Sequence, residues 1–224
     1  MSDETRRCIM KKTLYSLVLN DDVVREVDIM AHKMGTNRSS LINRILAEYV
    51  NYVTPEQRIG EVLSAIERLT ASSRELVPFF SPNSLSMSLK SSLEYKYRPT
   101  VKYEVELDAE SGRKIGTLSV VFRTQSEYLV RRITSFFRLW KRIEDAYLRP
   151  LTGLENDYAL YDGKFERTIL APDKDFSAET LAKALSDYIE LFDELLKGYL
   201  SERLTERDVE ASYAKYLENA ALYF

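Results

Sequence analysis

Residues 12–50 read KTLYSLVLNDDVVREVDIMAHKMGTNRSSLINRILAEYV, and their first part alternates side chains in a way that is typical of a β-strand. The alternation divides residues 13–19 into two sides, with Leu14, Ser16 and Val18 on one side and Thr13, Tyr15, Leu17 and Leu19 on the other. No second strand pattern follows within this stretch. The predicted strand therefore has no partner close to it in the chain.

Two amphipathic helices follow the predicted strand. Asn20 is a typical N-cap residue, and Asp21 and Asp22 place acidic groups at the positive end of the first helix. Gly35 predicts the end of that helix, because glycine readily adopts the left-handed conformation found there. Asn37 can then cap a second helix, whose apolar residues recur at helical spacing. The stretch is predicted to be a strand, a helix, a short turn and a second helix.

A unit this short cannot bury its apolar side chains alone. A second copy of the chain satisfies both the unpaired strand and the apolar helix faces, because two strands can pair antiparallel over four helices. We therefore predict a homodimer through this segment, and the sequence leaves higher oligomers open.

The order of these elements resembles the ribbon-helix-helix family of DNA-binding proteins, the group of the Arc, MetJ and CopG repressors. The resemblance covers residues 12–52 and includes the Asp-rich start of the first helix. The other residues that carry it are the alternating stretch Tyr15-Ser16-Leu17-Val18-Leu19, the turn Gly35-Thr36-Asn37-Arg38-Ser39, and Leu41-Ile42 in the second helix. The C-terminal part of the chain carries no family resemblance.

The resemblance implies double-stranded DNA as a partner. In this family the two-stranded ribbon enters the major groove, and its outward side chains face the base edges. By position, the base-contacting residues here are Leu14, Ser16 and Val18. Ser16 can hydrogen-bond a base, whereas the two aliphatic side chains can contact thymine methyl groups.

The resemblance also implies a phosphate site at the N-terminus of the second helix, where free backbone N–H groups converge. The residues that suit this site are Asn37, Arg38, Ser39 and Ser40. A basic arm ahead of the strand adds further candidates for phosphate contact, which are Arg6, Arg7, Lys11 and Lys12. The alternative for the turn is that Asn37 is only a helix cap and Arg38 only a solvated turn residue.

The chain is predicted to contain three parts. Residues 1–53 form the ribbon-helix-helix unit for DNA binding and dimerisation. Residues 54–77 form a linker helix, because they begin with Thr-Pro-Glu-Gln, which combines an N-cap, a proline at the first helical position and a glutamine placed for a capping box. Prolines 78 and 82 mark the boundary to residues 83–224.

Residues 83–224 are predicted to form an α+β domain. Residues 101–107 and 115–122 alternate as antiparallel strands, and Asp162-Gly163 is the favoured two-residue turn of a hairpin. Residues 127–147 and 177–199 carry helical patterns, and Thr205 can cap a last helix. We expect a mostly antiparallel sheet with helices on one face.

Composition argues against catalysis. The chain has one cysteine and one histidine, Cys8 and His32, so it offers no Cys/His cluster for a metal and no internal disulfide. Its seven glycines are scattered and form no phosphate-binding loop. We predict that the protein is not an enzyme and uses no cofactor.

The sequence also predicts a cytoplasmic protein without a membrane partner. No apolar run approaches the roughly 18 residues that a membrane span requires, and the N-terminus lacks the apolar core of a signal peptide. A single cysteine fits a reducing compartment.

Two functions from different classes fit these observations. The first is transcription regulation, in which a dimeric repressor binds a DNA site and the C-terminal domain senses, oligomerises or recruits a protein partner. The second is an interaction or assembly factor, such as an accessory protein of plasmid transfer or partition, whose apolar outer ribbon side contacts another protein. The basic arm and the Asn37–Ser39 turn favour DNA, whereas Leu14, Val18 and the net charge of −3 favour a protein. We expect the first.

Overall fold

The computed structural model describes residues 14–71, 76–80, 85–93, 99–109, 112–153, 155–172 and 175–224. The elements within these ranges are, in chain order, α1 (Asp21–Lys33), α2 (Arg38–Tyr49), α3 (Pro55–Thr70), β1 (Val77–Phe80), β2 (Ser86–Ser92), β3 (Thr100–Leu107), β4 (Lys114–Phe122), α4 (Glu127–Thr152), β5 (Tyr158–Tyr161), β6 (Lys164–Leu170), α5 (Ala178–Leu200) and α6 (Glu206–Asn219). The predicted α+β class is confirmed. None of the helices in these ranges combines the length and the apolar character that crossing a membrane requires.

The strands form one antiparallel sheet in the order β1-β2-β3-β4-β6-β5. The short strands β1 and β5 are its two edges. The predicted hairpin about Asp162 and Gly163 is confirmed as the β5–β6 turn, in which Gly163 has a φ of 72°. A Cβ atom at Gly163 would lie 2.9 Å from the carbonyl oxygen of Phe122. The turn therefore needs glycine for its backbone conformation and for this close approach.

The two faces of the sheet differ in character. On β3, Val101, Tyr103 and Val105 are buried, whereas Lys102 and Glu104 on the opposite side are partly exposed and form an ion pair of 2.5 Å. The buried side faces the helices of the C-terminal part and shares one core with them. The predicted arrangement, with helices on one face of the sheet, is confirmed.

Aromatic side chains fill the centre of this core. The ring of Phe192 on α5 lies 4.6 Å from Trp140, 5.4 Å from Phe136 and 6.0 Å from Tyr103, measured between ring centroids. Edge contacts of this kind stabilise packing beyond the burial of apolar area. Phe192 therefore joins α5 to both α4 and β3.

α3 belongs to the same core. It packs along α5, and its side chains Ile59, Leu63 and Ile66 are buried in the main cluster. Its predicted capping box is confirmed, because Thr54 Oγ1 accepts from Gln57 N at 3.2 Å and Gln57 Oε1 accepts from Thr54 N at 2.8 Å. The helix that the sequence predicts as a linker thus shares a core with the C-terminal part of the chain.

α1 and α2 pack on each other outside that core. Their fully buried side chains are Ala31, Leu41 and Ala47, and none of these belongs to the main cluster. Ahead of α1, residues 14–20, here called the leading segment, form neither a helix nor a strand within the described protomer. Residues 14–50 are therefore a helical pair with an unpaired segment in front of it.

Candidate nucleic-acid interface

The leading segment carries apolar side chains whose exposure alternates. Leu14 and Val18, predicted to face outward, are 96% and 103% exposed. Tyr15, Leu17 and Leu19, predicted to face inward, are 79%, 61% and 41% exposed. Ser16 is also exposed. All three predicted base-contact residues are thus open to solvent in the protomer, and the side predicted to face the helices is the more covered one.

The turn between α1 and α2 has the predicted geometry. Gly35 has a φ of 61°, so the predicted left-handed position is confirmed. The backbone N–H of Thr36 donates to Ala31 O at 2.9 Å, which closes the end of α1. Asn37 Oδ1 accepts from Ser40 N at 2.9 Å, so the predicted cap of α2 is confirmed as well.

The N-terminus of α2 is open to solvent. Asn37, Arg38, Ser39 and Ser40 are all exposed, and the first turn of α2 contains no acidic side chain. The helix dipole places partial positive charge at such an end, where unpaired N–H groups can bind an anion. The four predicted phosphate-contact residues of the turn therefore lie together. The other four, in the basic arm Arg6, Arg7, Lys11 and Lys12, lie outside the described residues.

Arg38 has a partner that the sequence did not indicate. Its Nε donates to Asp28 Oδ1 at 2.6 Å, and its Nη2 donates to Asp28 Oδ2. The hydrogen bond from Arg38 lowers the pKa of Asp28, and the same bond raises the pKa of Arg38. Both side chains remain about half exposed. A phosphate at this helix end must therefore compete with Asp28 for Arg38. No helical spacing relates the two positions, which explains why the pair was missed.

Most apolar side chains of α1 and α2 remain exposed. We use the name N-terminal apolar surface for the following exposed side chains of α1 and α2, together with the residue that follows α2: Val23, Ile29, Met30, Ile45, Leu46, Tyr49 and Val50. Soluble monomers rarely leave so many neighbouring apolar side chains in water, and such surfaces mark sites of association. The helical pair therefore presents an exposed apolar surface in the protomer.

A groove of about 700 Å³ lies beside this surface, between the end of α2, one side of α3 and the start of α5. Its lining includes Tyr52, Val53, Gly60, Glu61 and Ser64. A Cβ atom at Gly60 would meet no atom within 4 Å. A glycine inside a helix costs about 1 kcal/mol relative to alanine, and no contact within the protomer requires one here. The groove therefore has room beside Gly60 for a larger side chain.

The C-terminal part contains a buried ionic cluster around Glu144 and Arg167. Arg167 Nη1 lies 2.5 Å from Glu144 Oε1, and Arg167 Nη2 donates to the backbone oxygen of Phe224. Tyr188 Oη donates to the same Glu144 oxygen at 2.8 Å. Burial raises the pKa of Tyr188 well above its usual value, and the neighbouring Glu144 adds to that effect, so the hydroxyl keeps its proton. The cluster ties β6 to α4, α5 and residue 224.

A second buried carboxylate, Asp193 on α5, holds the other half of the sheet. It accepts from Tyr103 Oη at 2.8 Å and from Ser91 Oγ at 2.9 Å, and Lys197 Nζ lies 2.7 Å from it. Burial raises the pKa of Tyr103, and the charge of Asp193 raises it further. Every side-chain oxygen of Asp193 thus has a partner, as buried charges require.

Sequence reasoning missed both clusters, although the pattern contains two signs of the first. Arg167 stands between Phe165 and Ile169 on the inward side of β6, where the alternation calls for an apolar residue. Glu144 follows Trp140 by one helical turn on the buried side of α4. Charges at such positions point to buried partners, but not to which ones. Both clusters are largely buried, and each joins the sheet to the helices through hydrogen bonds and an ion pair.

Comparison of the chain with protein-family models, with curated proteins and with solved structures found no match.

Proposed function

We propose that this protein is a dimeric, sequence-specific double-stranded DNA-binding protein that acts as a transcriptional regulator. The observation that carries the proposal is the leading segment, whose outward side chains Leu14 and Val18 stay fully exposed directly ahead of a packed helical pair. An unpaired segment of this kind is suited to pair with the same segment of a second copy.

The N-terminal apolar surface supports the dimer. Two-fold association of α1 and α2 would cover side chains such as Leu46 and Tyr49, which the protomer leaves more than half exposed. The hydrophobic effect then favours the dimer in proportion to the apolar area that leaves water. The two copies together form the ribbon over four helices.

The start of α2 supports DNA as the partner. Each copy contributes one helix N-terminus whose own first turn has no acidic residue, with Asn37, Ser39 and Ser40 beside it and Asp28 bound to Arg38. The two-fold axis of the dimer requires two such ends, so the preferred DNA site is palindromic. Ser16 supplies the hydrogen bond to a base, and Arg38 supplies charge to a phosphate when it leaves Asp28.

A specific observation favours a second candidate function. The outward side of the leading segment offers two aliphatic side chains, Leu14 and Val18, and such a surface suits a protein partner as well as a thymine-rich groove. In that case the protein is an assembly factor, for example in plasmid transfer or partition, and the ribbon is its docking surface.

The experiment begins with selection of duplexes from a random pool by the full-length protein. The selected duplex is then titrated at several salt concentrations with the wild type, Arg38→Ala and Ser16→Ala. Because each neutralised phosphate contributes about −0.9 to the slope of log K against log salt, Arg38→Ala should weaken binding to all sequences and reduce that slope. Ser16→Ala should relax the preference at one base position. Arg138→Ala, at an exposed position of α4, is the control and should change neither.

Two results would contradict the DNA-binding function and favour the assembly function. One is selection that enriches no sequence, together with an Arg38→Ala variant that binds DNA as the wild type does. The other is a Val18→Glu variant that loses a protein partner captured by the wild type while its weak DNA binding stays the same.

A further inference from the structure

We infer that Tyr49 of each copy inserts into the partner subunit's groove beside Gly60 and Ser64. This inference depends on the dimer of the proposed function and extends its interface from α1 and α2 onto α3. The proposed occupant of the groove is a side chain from a second copy of this chain.

The side chain of Tyr49 is large and exposed to solvent. It is the last residue of α2, and 86% of it is exposed, the highest fraction among the aromatic side chains of the described residues. Val50 follows it and is also mostly exposed. Aromatic side chains at this degree of exposure are typical anchors of protein interfaces, because they bury a large apolar area when a partner binds. Tyr49 therefore requires a pocket on another molecule.

Within the part of the chain that the structure describes, the groove is open along α3. Gly60 and Ser64 lie one helical turn apart on α3 and are the two small residues that this helix contributes to the lining. Since a Cβ at Gly60 would meet nothing within 4 Å, a side chain from outside can approach the helix backbone closely there. Glu61 is exposed beside it and can accept a hydrogen bond from a tyrosine hydroxyl.

The position of Tyr49 relative to the groove fits a two-fold contact. Glu48 and Asn51, its neighbours in the chain, line the groove of the same protomer, whereas Tyr49 itself does not. Tyr49 and the groove are therefore adjacent parts of one surface. In a two-fold dimer each such surface meets its own copy, so the residue that projects from one copy can fill the opening of the other, twice by symmetry. The apolar side chains Tyr52 and Val53 continue the N-terminal apolar surface up to this opening.

The test uses the full-length protein and measures the dimer dissociation constant by sedimentation velocity over a dilution series. The variants are Tyr49→Ala, which removes the inserted ring, Gly60→Leu, which fills the opening, and the double variant. Each single variant should raise the dissociation constant at least tenfold. The double variant should raise it much less than the product of the two single effects, because both changes remove the same contact.

Arg58→Leu is the matched control, since it places the same side chain at an exposed position of α3 that does not line the groove, and its dissociation constant should stay within twofold of the wild type. Circular dichroism should show unchanged helicity in every variant, because Tyr49 is exposed and Gly60 faces open space. Gly60→Ala, which fills less of the opening, replaces Gly60→Leu if the larger side chain lowers helicity.

The outcomes separate this inference from the proposed function. A wild-type dimer that Tyr49→Ala and Gly60→Leu leave intact overturns the inference, and the proposed DNA-binding dimer stands. Fully multiplicative effects of the two changes also overturn it, because they mean that the two residues do not touch. A wild type that stays monomeric at micromolar concentration overturns the proposed dimer itself.

Discussion

Arg38, the first residue of α2, is held by Asp28 of α1 through two hydrogen bonds, one of which spans 2.6 Å from Nε to Oδ1. The pair links the two helices of the N-terminal unit across the turn between them. Exposed ion pairs of this kind contribute little to stability. The main effect of Asp28 is therefore electrostatic, because it offsets the charge that a phosphate at the start of α2 would meet.

Asp28→Asn should strengthen DNA binding. The change removes the anion that competes for Arg38, so affinity should rise for all duplexes, and the slope of log K against log salt should steepen by up to about 0.9 for each Arg38 that gains a phosphate. Fluorescence anisotropy with the selected duplex and with an unrelated duplex measures both effects. Asp22→Asn, which removes an exposed acid paired with Arg25 instead, is the control. Equal affinities for Asp28→Asn and wild type would show that Arg38 contacts no phosphate.

The titration of Asp28 provides a check that requires no DNA. Its pKa is lowered from the ordinary 3.8, chiefly by the hydrogen bond from Arg38. A lowered folded-state pKa means that the pair stabilises the folded unit above the unfolded pKa, and that this contribution disappears as pH falls through the folded pKa. An NMR titration of the Asp28 carboxyl should show a pKa below 3.8 in the wild type and a higher pKa in Arg38→Ala. The same pKa in both proteins would mean that the pair does not form in solution.

The two sides of the leading segment should respond differently to a charge. Leu17→Asp should abolish the dimer, because pairing over the helices would bury an unpaired carboxylate. Leu14→Asp should leave the dimer intact and weaken DNA binding, because this side chain faces outward and would repel the phosphates. Light scattering and DNA titration of the two variants measure both outcomes. A dimer lost with Leu14→Asp and kept with Leu17→Asp would reverse the assignment of the two sides.

Breaking the buried ion pair should cost far more than breaking an exposed one. Arg167→Met leaves Glu144 buried without its cation, which typically costs about 3–5 kcal/mol. Arg142→Met removes the exposed pair with Glu206 and should cost less than about 1 kcal/mol. Urea unfolding followed by the fluorescence of Trp140, the only tryptophan of the chain, reports on the core that contains both α4 and α5. Similar midpoints for the two variants would contradict a stabilising role for the buried cluster.

α3 should be required for full stability of the C-terminal part. The sequence-based boundary predicts that residues 83–224 fold alone, whereas the burial of Ile59, Leu63 and Ile66 against α5 leads us to expect a clearly more stable fragment from residues 54–224. Residues 83–224 lack β1 as well as α3, so a fragment of residues 76–224, which keeps β1, serves as the control for the loss of the strand. Deleting α3 exposes the apolar side of α5 to water, and each buried aliphatic side chain of this size contributes about 1.5–3 kcal/mol. Urea unfolding of these fragments decides between them, and equal stability would support the boundary at residues 78–83.

Local features of the fold could be predicted because the residues that make them are close in sequence. The caps at Asn20, Asn37 and Thr54 are each a side chain bonded to a backbone group two or three residues later. The β5–β6 turn needs only Asp162 and Gly163. Such contacts follow from residue type and spacing alone, so the sequence determines them almost completely.

The contacts between buried charged and polar side chains could not be predicted in the same way. Arg167 and Glu144 meet across 23 positions, and Tyr103 and Asp193 meet across 90. Periodicity indicates that each position is buried, but the partner depends on which helix covers which strand. The candidate interface shows the same limit, since the exposed start of α2 follows from its cap, whereas the contact between Arg38 and Asp28 depends on how two helices cross.

The edges of the sheet have a consequence for the behaviour of the protein at high concentration. β1 and β5 each expose an edge of four residues, and Pro78 removes one N–H donor from β1. Long, regular edges recruit strands from other molecules and start aggregation, whereas short or interrupted edges give an incoming strand too few hydrogen bonds to hold it. The short edges thus protect the sheet from edge-to-edge pairing, and the proposed dimer would form through the apolar N-terminal helices instead. A preparation that lacks those helices should stay monodisperse when concentrated.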